Sequence, residues 1–503
     1  MRSIYTHVLS LALPSLAFAQ PGTPDATFGI NGVAWHPISF YSIGSEMGTD
    51  MLPMADGRLL VCGHERSTPT EPSPFIMRLL PDGSLDPDYG LVSLSCGDRG
   101  EAWSMAFAPD SSVYLCGYAD TLGYDRITLW HVLPDGTPDP AFGYYGRVSV
   151  ELGTYNVLIW DMAVQTDGKL VLAGCTNNTQ RNALLVRLNT DGTVDTTFYT
   201  VGWQLINLSN GLNDEFLAVD VLDDGSVVAG GYGTSGGTVE FPALVKFTPS
   251  GALDVTFDGD GILQPTTSYP DSRITCLAAD GQYILAGGAK KMGIVTTSDY
   301  YLLRLDDTGA PDPLFGTLGE QVTDVAPDDF LDDLILLNDG RIVVTGFAGD
   351  ATNYSGELDI LTAVHNSDGS LYTAFGGTGH VLAALPVGQD RGYAVRAQPD
   401  GKLVVSGYSN VSVVVLRYEN DVNTGVAVQR PASTISAYPM PFENELVLTG
   451  TNADEAYRLF DHTGRIVAEG VTTKGQTTIK VEAVASGAYI VRSGTAVLHV
   501  MKK

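Results

Sequence analysis

The chain has 503 residues, and 58 acidic against 28 basic side chains give it a formal charge of −30. A surface of this sign argues against nucleic acid and anionic membranes as partners and suits a soluble exported protein. Only 17% of the residues are charged and 57 are glycine, which is typical of short strands joined by tight turns.

The N-terminus predicts a secretory signal peptide. Arg2 provides a positive start, residues 8–16 are apolar, and Ala19 ends a small-x-small cleavage site before Gln20. The apolar stretch is too short to span a bilayer. We therefore expect residues 1–19 to be removed between Ala19 and Gln20, and we predict no transmembrane segment in the mature chain.

A short phrase then recurs about every fifty-seven residues along the chain. Its copies begin with a turn, continue with an apolar strand and end in a small residue and glycine; they start at Asp56, Asp110, Asp167, Asp224, Asp280, Asp339 and Asp400. A fixed period of this length is typical of repeat folds. Four strands per unit predict an all-β, seven-bladed β-propeller of four-stranded blades over residues 20–420, with an open solenoid as the alternative.

An aromatic residue follows the second turn of most units, namely Tyr89, Phe142, Phe198, Phe257, Phe315 and Phe375. The last unit has none, but Phe28 stands in a matching phrase before the first unit. We therefore predict that residues 24–36 complete the last blade and close the ring, which leaves no sheet edge exposed.

Oppositely charged residues recur at fixed spacing around the second turn. The predicted structural pairs are Arg78 with Asp86, His131 with Asp139, Arg187 with Asp195, Lys246 with Asp254, and Arg304 with Asp312. The sixth unit loses both members together, since Val364 and Tyr372 stand there. In the seventh unit Arg417 remains, so we expect Asp25 to pair with it across the seam. The alternative is a basic ring that binds anions.

The five cysteines invite a disulfide interpretation in an exported chain. Cys62 and Cys116, however, occupy a repeat position whose other members are small residues, and Cys276 aligns with alanines. We expect buried free thiols, with a Cys62–Cys116 bridge as the alternative.

The repeats resemble the bacterial delta-60 repeat, most clearly in residues 398–407 (QPDGKLVVSG) and 312–316 (DPLFG). The resemblance covers roughly residues 24 to 420. Unit two departs most, with Ser111 in place of the turn glycine. The family implies a propeller architecture and no defined catalytic residues.

After a predicted linker at 421–436, residues 437–503 are similar to the C-terminal sorting domain of the type IX secretion system. The similarity lies in residues 438–442 (YPMPF), where Met440 replaces the more usual Asn, and in 486–492 (SGAYIVR). It implies a small β-sandwich, the secretion machinery as partner, and a propeller that passes the periplasm to the cell surface or beyond. A generic sandwich appendage is the alternative.

No catalytic or metal-binding motif stands out. The best candidate site is an acid that recurs before the second strand of a unit, in Asp98, Asp214, Asp271, Asp329 and Asp390; Glu101, Glu215, Asp328, Asp332, Asp333, Arg99, Arg273 and Arg391 lie nearby. These acids either form a binding rim at one mouth of the channel for a cation, a basic peptide or sugar hydroxyls, or each caps its own loop. Residues 258–261 faintly resemble a calcium loop but fit a tight turn better.

Two functions fit these observations. The first is a non-catalytic, monomeric surface or secreted propeller that binds protein or glycan without a cofactor. The second is an extracellular carbohydrate-active enzyme that uses carboxylates at the channel mouth, which would need a closely spaced pair in a deep pocket. A structural role in a surface layer is a third.

Overall fold

The structure is a computed structural model that describes residues 20–421 and 436–503, except for 39–45, 67–71, 122, 178, 210, 237–238, 266–270, 281–282, 292–296, 351–356, 386–387, 410–411, 439–443, 452–455, 462–464, 482–486 and 494–495. The predicted signal peptide and most of the predicted linker lie outside the described residues. The chain divides into two compact units, 1–427 and 428–503. Among the described residues, none forms a helix with the length and apolar character that crossing a membrane requires.

The first unit consists of four-stranded antiparallel sheets, each numbered here from its inner to its outer strand. Blade 1 contains β2 (Glu46–Pro53), β3 (Leu59–Arg66), β4 (Pro72–Leu79) and β5 (Leu91–Ser93). Blade 2 contains β6 (Gly100–Phe107), β7 (Val113–Thr121), β8 (Tyr124–Val132) and β9 (Arg147–Val150). Blade 3 contains β10 (Val157–Val164), β11 (Leu170–Thr176), β12 (Ala183–Leu188) and β13 (Trp203–Ile206).

The next three blades repeat this order. Blade 4 contains β14 (Asp214–Val221), β15 (Val227–Ser235), β16 (Val239–Phe247) and β17 (Ile262–Leu263). Blade 5 contains β18 (Ser272–Ala279), β19 (Tyr283–Lys291), β20 (Ser298–Asp306) and β21 (Glu320–Thr323). Blade 6 contains β22 (Asp328–Leu336), β23 (Ile342–Gly349), β24 (Leu358–His365) and β25 (His380–Ala383).

The last blade combines the two ends of the repeat region. It contains β26 (Asp390–Ala397), β27 (Leu403–Ser409), β28 (Ser412–Tyr418) and, as its outer strand, the N-terminal β1 (Val33–His36). Val33 pairs with Leu416 and His36 with Val413 in this ladder. Each inner strand packs on the next, and β26 packs on β2, so the sheets meet in a ring. The predicted seven-bladed β-propeller is confirmed, and the solenoid is excluded.

The aromatic column packs one blade on the next. The ring of Phe28 in blade 7 lies where a side chain on Gly83 of blade 1 would start, with ring atoms 2.9 Å from that position. Phe198 and Phe257 contact Gly251 and Gly309 of the following blades in the same way. Only glycine leaves room for the ring and also adopts the positive φ of this turn. The seam therefore packs as the other interfaces do.

The predicted charge pairs lie under these rings. Within one blade, the nitrogen–oxygen distances are 2.7 Å for Arg78–Asp86, 2.9 Å for His131–Asp139, 2.8 Å for Arg187–Asp195, 3.4 Å for Lys246–Asp254, 2.8 Å for Arg304–Asp312 and 2.7 Å for Arg417–Asp25. In blade 6, the buried Val364 takes the basic position, and Arg341 stacks on Tyr372 instead.

Most of the basic side chains also reach the next blade. Arg187 donates to the carbonyl of Pro249 at 2.8 Å, and Arg417 donates to Pro81 across the seam at 2.6 Å. Lys246 donates to Asp307 at 2.8 Å. A basic residue therefore holds its own turn and the neighbouring turn together, a structural role in place of an anion-binding ring.

Two local expectations concern cysteine and the irregular second repeat. All five cysteines are buried and free, so the structure does not contain the alternative Cys62–Cys116 bridge. Ser111 occupies the turn position of glycine with a φ of 70°, the left-handed conformation that the turn requires.

The second unit contains two β-sheets. One sheet has the order β29 (Ser436–Tyr438), β30 (Glu445–Thr451) and β33 (Gly475–Lys480). The other consists of β32 (Ile466–Val471), β31 (Ala456–Asp461), β34 (Gly487–Ser493) and β35 (Ala496–Lys502). Both sheets contribute to one apolar core, which includes Leu446, Leu448, Leu459, Ile479 and Val491. This is the predicted small β-sandwich.

Candidate functional site

The propeller has two different ends. Inner strands begin at one end, which we call the mouth end, and run to the Asp-Gly hairpins at the other, which we call the turn end. The charge pairs and the aromatic column lie at the turn end. The five acids proposed as a binding rim lie at the mouth end, beside the starts of the inner strands.

Three of these five acids cap their own loops. Asp214 accepts a hydrogen bond from the Leu208 backbone N–H at 2.8 Å, and Asp390 accepts one from Leu385 at 3.1 Å. Asp329 accepts from Val325 and Ala326, and burial raises its pKa to about 7. All three residues are buried. The expectation of an open acidic rim is corrected here, because the protein itself uses these carboxylates.

The other two acids differ from them and from each other. Asp271 lies 2.5 Å from the Lys291 ammonium on the same blade, and Asp98 is exposed. The structure therefore does not bring the five acids into one shared site.

A second set of residues, further along the inner strands, forms what we call the mouth ring. It consists of one residue per blade: Met47, Glu101, Leu158, Glu215, Arg273, Phe330 and Arg391. Their partners on the second strands are His64, Tyr118, Cys175, Tyr232, Ala289, Phe347 and Tyr408. Unlike the turn end, this ring places a different chemistry on most blades.

A β-bulge follows the mouth ring on every inner strand. The unpaired residues at the bulges are Thr49, Trp103, Trp160, Leu217, Thr275, Asp332 and Tyr393. Bulges re-aim side chains and often lie next to functional sites. The alternation of a regular strand does not predict them, so the sequence gave no expectation for these positions.

Three bulge aromatics meet in what we call the aromatic floor, formed by Trp103, Trp160 and Tyr393. The ring centroids of Trp103 lie 5.1 Å from those of Trp160 and 6.3 Å from those of Tyr393, both in edge-to-face geometry. Trp103 reaches Tyr393 across blade 1, where the bulge residue is the small Thr49. All three aromatic residues are partly exposed.

Arg391 lies beside this floor in a box of aromatic rings. Its guanidinium carbon is 5.2 Å from the centroids of Phe330 and Phe347 and 5.0 Å from Tyr393. Asp332 holds it with two hydrogen bonds of 2.7 and 2.5 Å. The Arg391 side chain is 29% exposed, so cation–π contacts and a bidentate pair fix a charged group that solvent still reaches.

Arginine–carboxylate pairs bridge other blades at this end. Arg66 of blade 1 holds Glu101 of blade 2 at 2.8 Å, and Arg273 of blade 5 holds Glu240 of blade 4 at 2.7 Å. Arg181 likewise pairs with Glu215, which also accepts a hydrogen bond from Tyr232. The pairs fix the wall around the aromatic floor.

A charged layer lies beneath the floor. Arg396 donates to Asp50 at 2.6 Å and to Asp333, while Asp161 accepts from Ser104 and from the Val219 backbone. Burial raises the pKa of Asp50 to about 6, although the charge of Arg396 opposes this shift. Asp50 also accepts from the Met105 N–H of the next blade at 2.8 Å, so these carboxylates join neighbouring inner strands.

Two places at the edges carry the oxygen ligands that calcium prefers. Oxygens of Asp299, Asp324 and Asp329 lie within 4.8 Å of one another, the one such group among the described residues. Asp258 and Asp260 border a groove of about 280 Å³ beside Asn207. Asp260 accepts from the Ile262 N–H at 2.9 Å, in the manner of a tight turn.

Two family models match the sequence. A β-propeller domain of unknown function, DUF5122, matches residues 55–89, 165–198, 222–257 and 398–421. A secretion system C-terminal sorting domain matches residues 436–503. The chain carries DUF5122 propeller repeats and a type IX sorting domain. The sorting domain directs export to the cell surface or the extracellular space, with the type IX machinery as a partner, as the sequence predicted.

Solved structures with similar architecture have little sequence identity to this chain. PorZ, a surface component of the type IX secretion system of Porphyromonas gingivalis, is 12% identical with a TM-score of 0.43 and matches 90% of this chain, which spans 59% of PorZ. Sqt1 from Chaetomium thermophilum is 12% identical over 80% of this chain and 100% of its own, with a TM-score of 0.43. The polysaccharide lyase Uly1 is 10% identical over 74% of this chain and 90% of its own, with a TM-score of 0.41. No curated protein sequence matches the chain.

Proposed function

We propose that this exported propeller is a non-catalytic glycan-binding protein whose ligand sits on the aromatic floor at the mouth end. The observation that carries the proposal is the meeting of Trp103, Trp160 and Tyr393, all partly exposed, inside a wall of fixed polar groups. Water rarely faces so many aromatic rings in one place unless a ligand covers them.

The chemistry of the mouth matches that of a sugar. A pyranose ring has apolar C–H faces that pack on aromatic rings, and hydroxyls that need donors and acceptors at fixed positions. The wall supplies both kinds of polar group, in the guanidinium of Arg391, the carboxylate of Glu101 and the hydroxyl of Tyr408. The arginine–carboxylate pairs hold these groups in place, so little side-chain entropy is lost on binding.

The state of the carboxylates favours binding over hydrolysis. A glycosidase needs one carboxyl group whose pKa is raised enough to donate a proton near neutral pH. Burial works to raise the pKa of Glu101, but His64, Tyr118 and Arg66 lower it overall. Asp332 has a raised pKa because it is buried, yet both of its oxygens bind Arg391. Each acid is thus occupied by a permanent partner.

A glycan array on the mature chain from Gln20 tests the proposal, run with and without EDTA. We expect glycan binding that EDTA leaves unchanged, because we propose no metal or other cofactor. The double variant Trp103→Ala/Trp160→Ala should reduce binding at least tenfold. Trp203→Ala is the matched control, since Trp203 is also partly exposed but lies on the outer strand β13.

Three results would contradict the proposal. Binding that survives the double variant would remove the aromatic floor from the site. Binding only to proteins on a parallel array would replace the ligand class. Turnover of a bound polysaccharide would make the propeller an enzyme.

A further inference from the structure

One histidine beside the aromatic floor lacks the hydrogen bonds that a buried imidazole needs. His64 is fully buried, and neither ring nitrogen has a hydrogen-bond partner among the described residues. Two other buried histidines are satisfied: His365 by Tyr300 and the Gly369 carbonyl, and His131 by Asp139 and Ser112. A buried polar group without a partner destabilises a fold, so its retention calls for an explanation.

The surroundings of His64 are those of the proposed ligand. Its ring centroid lies 5.3 Å from Trp103, and its Nε2 lies 4.0 Å from Oε1 of Glu101. The indole Nε1 of Trp160 likewise has no hydrogen-bond partner in the described part of the chain. Unused donors and acceptors thus gather around one edge of the aromatic floor, on blades 1 to 3.

The 4.0 Å gap between His64 and Glu101 has the size of one hydroxyl group. It is too long for a direct hydrogen bond, but an oxygen about 2.8 Å from each atom would bridge it with normal geometry. Burial lowers the pKa of His64, so the imidazole is neutral at pH 7 and offers one donor and one acceptor. A hydroxyl group is also both donor and acceptor, so it complements this edge.

We infer, on the basis of the proposed function, that this edge binds one neutral pyranose unit, with a hydroxyl between His64 and Glu101 and the sugar ring on Trp103 and Trp160. Charge selects against ionised sugars. The Glu101 carboxylate and those of Asp50, Asp161 and Asp333 beneath the floor repel a uronate. The Arg66 guanidinium, 2.8 Å from Glu101, repels an amino sugar.

Nuclear magnetic resonance of the full mature chain with labelled histidine rings tests the inference directly. The probes are methyl mannoside, methyl galactoside and N-acetylglucosamine as neutral sugars, with glucuronate and glucosamine as charged ones. We expect at least one neutral sugar to shift the His64 ring signals, with at least tenfold weaker effects from the charged pair. The satisfied His365 is the internal control and should not shift.

Two variants separate hydrogen bonding from packing. His64→Phe keeps a flat ring but removes both nitrogens, and should weaken binding of the best glycan from the array at least tenfold. His64→Gln keeps a donor and an acceptor and should stay within threefold of the parent. If His64→Phe does not fold, the ring signals of the parent chain still decide the matter.

The outcomes distinguish this inference from the proposed function. Array binding that depends on Trp103 and Trp160 but leaves the His64 signals unchanged would overturn the inference alone, and an ordered water would then satisfy His64. A charged sugar that binds as well as the neutral ones would overturn the selectivity. Absence of any glycan binding would overturn both proposals.

Discussion

The two ends of this propeller follow opposite rules. At the turn end, one arrangement recurs: an aromatic ring against the next blade's glycine, under a basic side chain that holds an acid of its own blade. At the mouth end, the equivalent positions of the mouth ring carry Met, Glu, Leu, Glu, Arg, Phe and Arg.

The difference separates the requirements of the ring from those of its ligand. Each blade must bury one face on each neighbour, so the contacts that join blades are constrained to be alike. A ligand on the ring axis meets every blade once and needs unlike groups around it. The repeated end thus explains stability, while the varied end is where we expect specificity.

The largest test of this comparison concerns the seam, where the chain ends meet. Phe28→Ala removes a fully buried ring and should cost about 3–5 kcal/mol of unfolding free energy. Phe257→Ala, at the equivalent place between blades 4 and 5, should cost the same within about 1 kcal/mol. Urea unfolding followed by tryptophan fluorescence measures both, because all five tryptophans lie in the propeller.

The control variant decides what the seam is. If Phe28→Ala were harmless while Phe257→Ala destabilised the chain, the N-terminal segment would not be an integral part of blade 7. Equal costs would support a ring in which the seam is one interface among equals.

The next effect concerns the acid of the seam. Burial works to raise the pKa of Asp25, but hydrogen bonds from Lys402 and Thr27 and the charge of Arg417 hold it well below its usual value. Since the folded state binds the carboxylate form more strongly, this stability is fully present above the unfolded pKa near 3.9 and is lost as the pH falls below it.

Asp25→Asn should therefore cost about 3 kcal/mol at pH 7, as expected when one side of a buried pair is removed. The cost should shrink steadily below pH 4. Urea titrations at several pH values measure it, with the exposed Asp400→Asn as a control that stays within about 0.5 kcal/mol. A cost that does not change with pH would mean that Asp25 is not charged in its pair.

The turn end was accessible to sequence analysis because repetition exposes it. The column that contains Phe28 and the pairing of Arg417 with Asp25 could be read from spacing alone, since each unit repeats the contact in the same register. Sequence analysis missed the second half of the contact, in which Arg417 reaches the Pro81 carbonyl of the next blade.

The mouth end was not accessible in the same way. Trp103 and Trp160 face the channel because a bulge adds one residue to each inner strand, and nothing in the alternation of these strands announces it. The recurring acids drew attention by their repetition, yet Asp214 and Asp390 recur because each loop needs a cap. Repetition identified structure, whereas the unlike residues between the repeats form the candidate site.

A smaller effect comes from carboxylates inside the ring. Asp220 accepts the Ala279 N–H of the next blade, and burial raises its pKa to about 6. The folded state therefore binds more protons than the unfolded chain between about pH 4 and 6, and stability falls as the pH rises through this range.

Asp220→Asn keeps an acceptor oxygen without a charge. It should stabilise the chain by up to about 2 kcal/mol at pH 7 and leave it unchanged at pH 4. Thermal unfolding at both pH values measures this difference. Lower stability of the variant at pH 7 would show that the ring requires the negative charge there.

The smallest effect separates loop caps from free acids at the mouth end. Asp214→Ala leaves the Leu208 N–H without its acceptor and should cost about 1–2 kcal/mol. Asp98→Ala, at the corresponding place in another blade but exposed, should stay within about 0.5 kcal/mol. Neither variant should change glycan binding, because neither residue belongs to the mouth ring or the aromatic floor. A loss of binding in Asp98→Ala without a loss of stability would return the acidic rim to the ligand site.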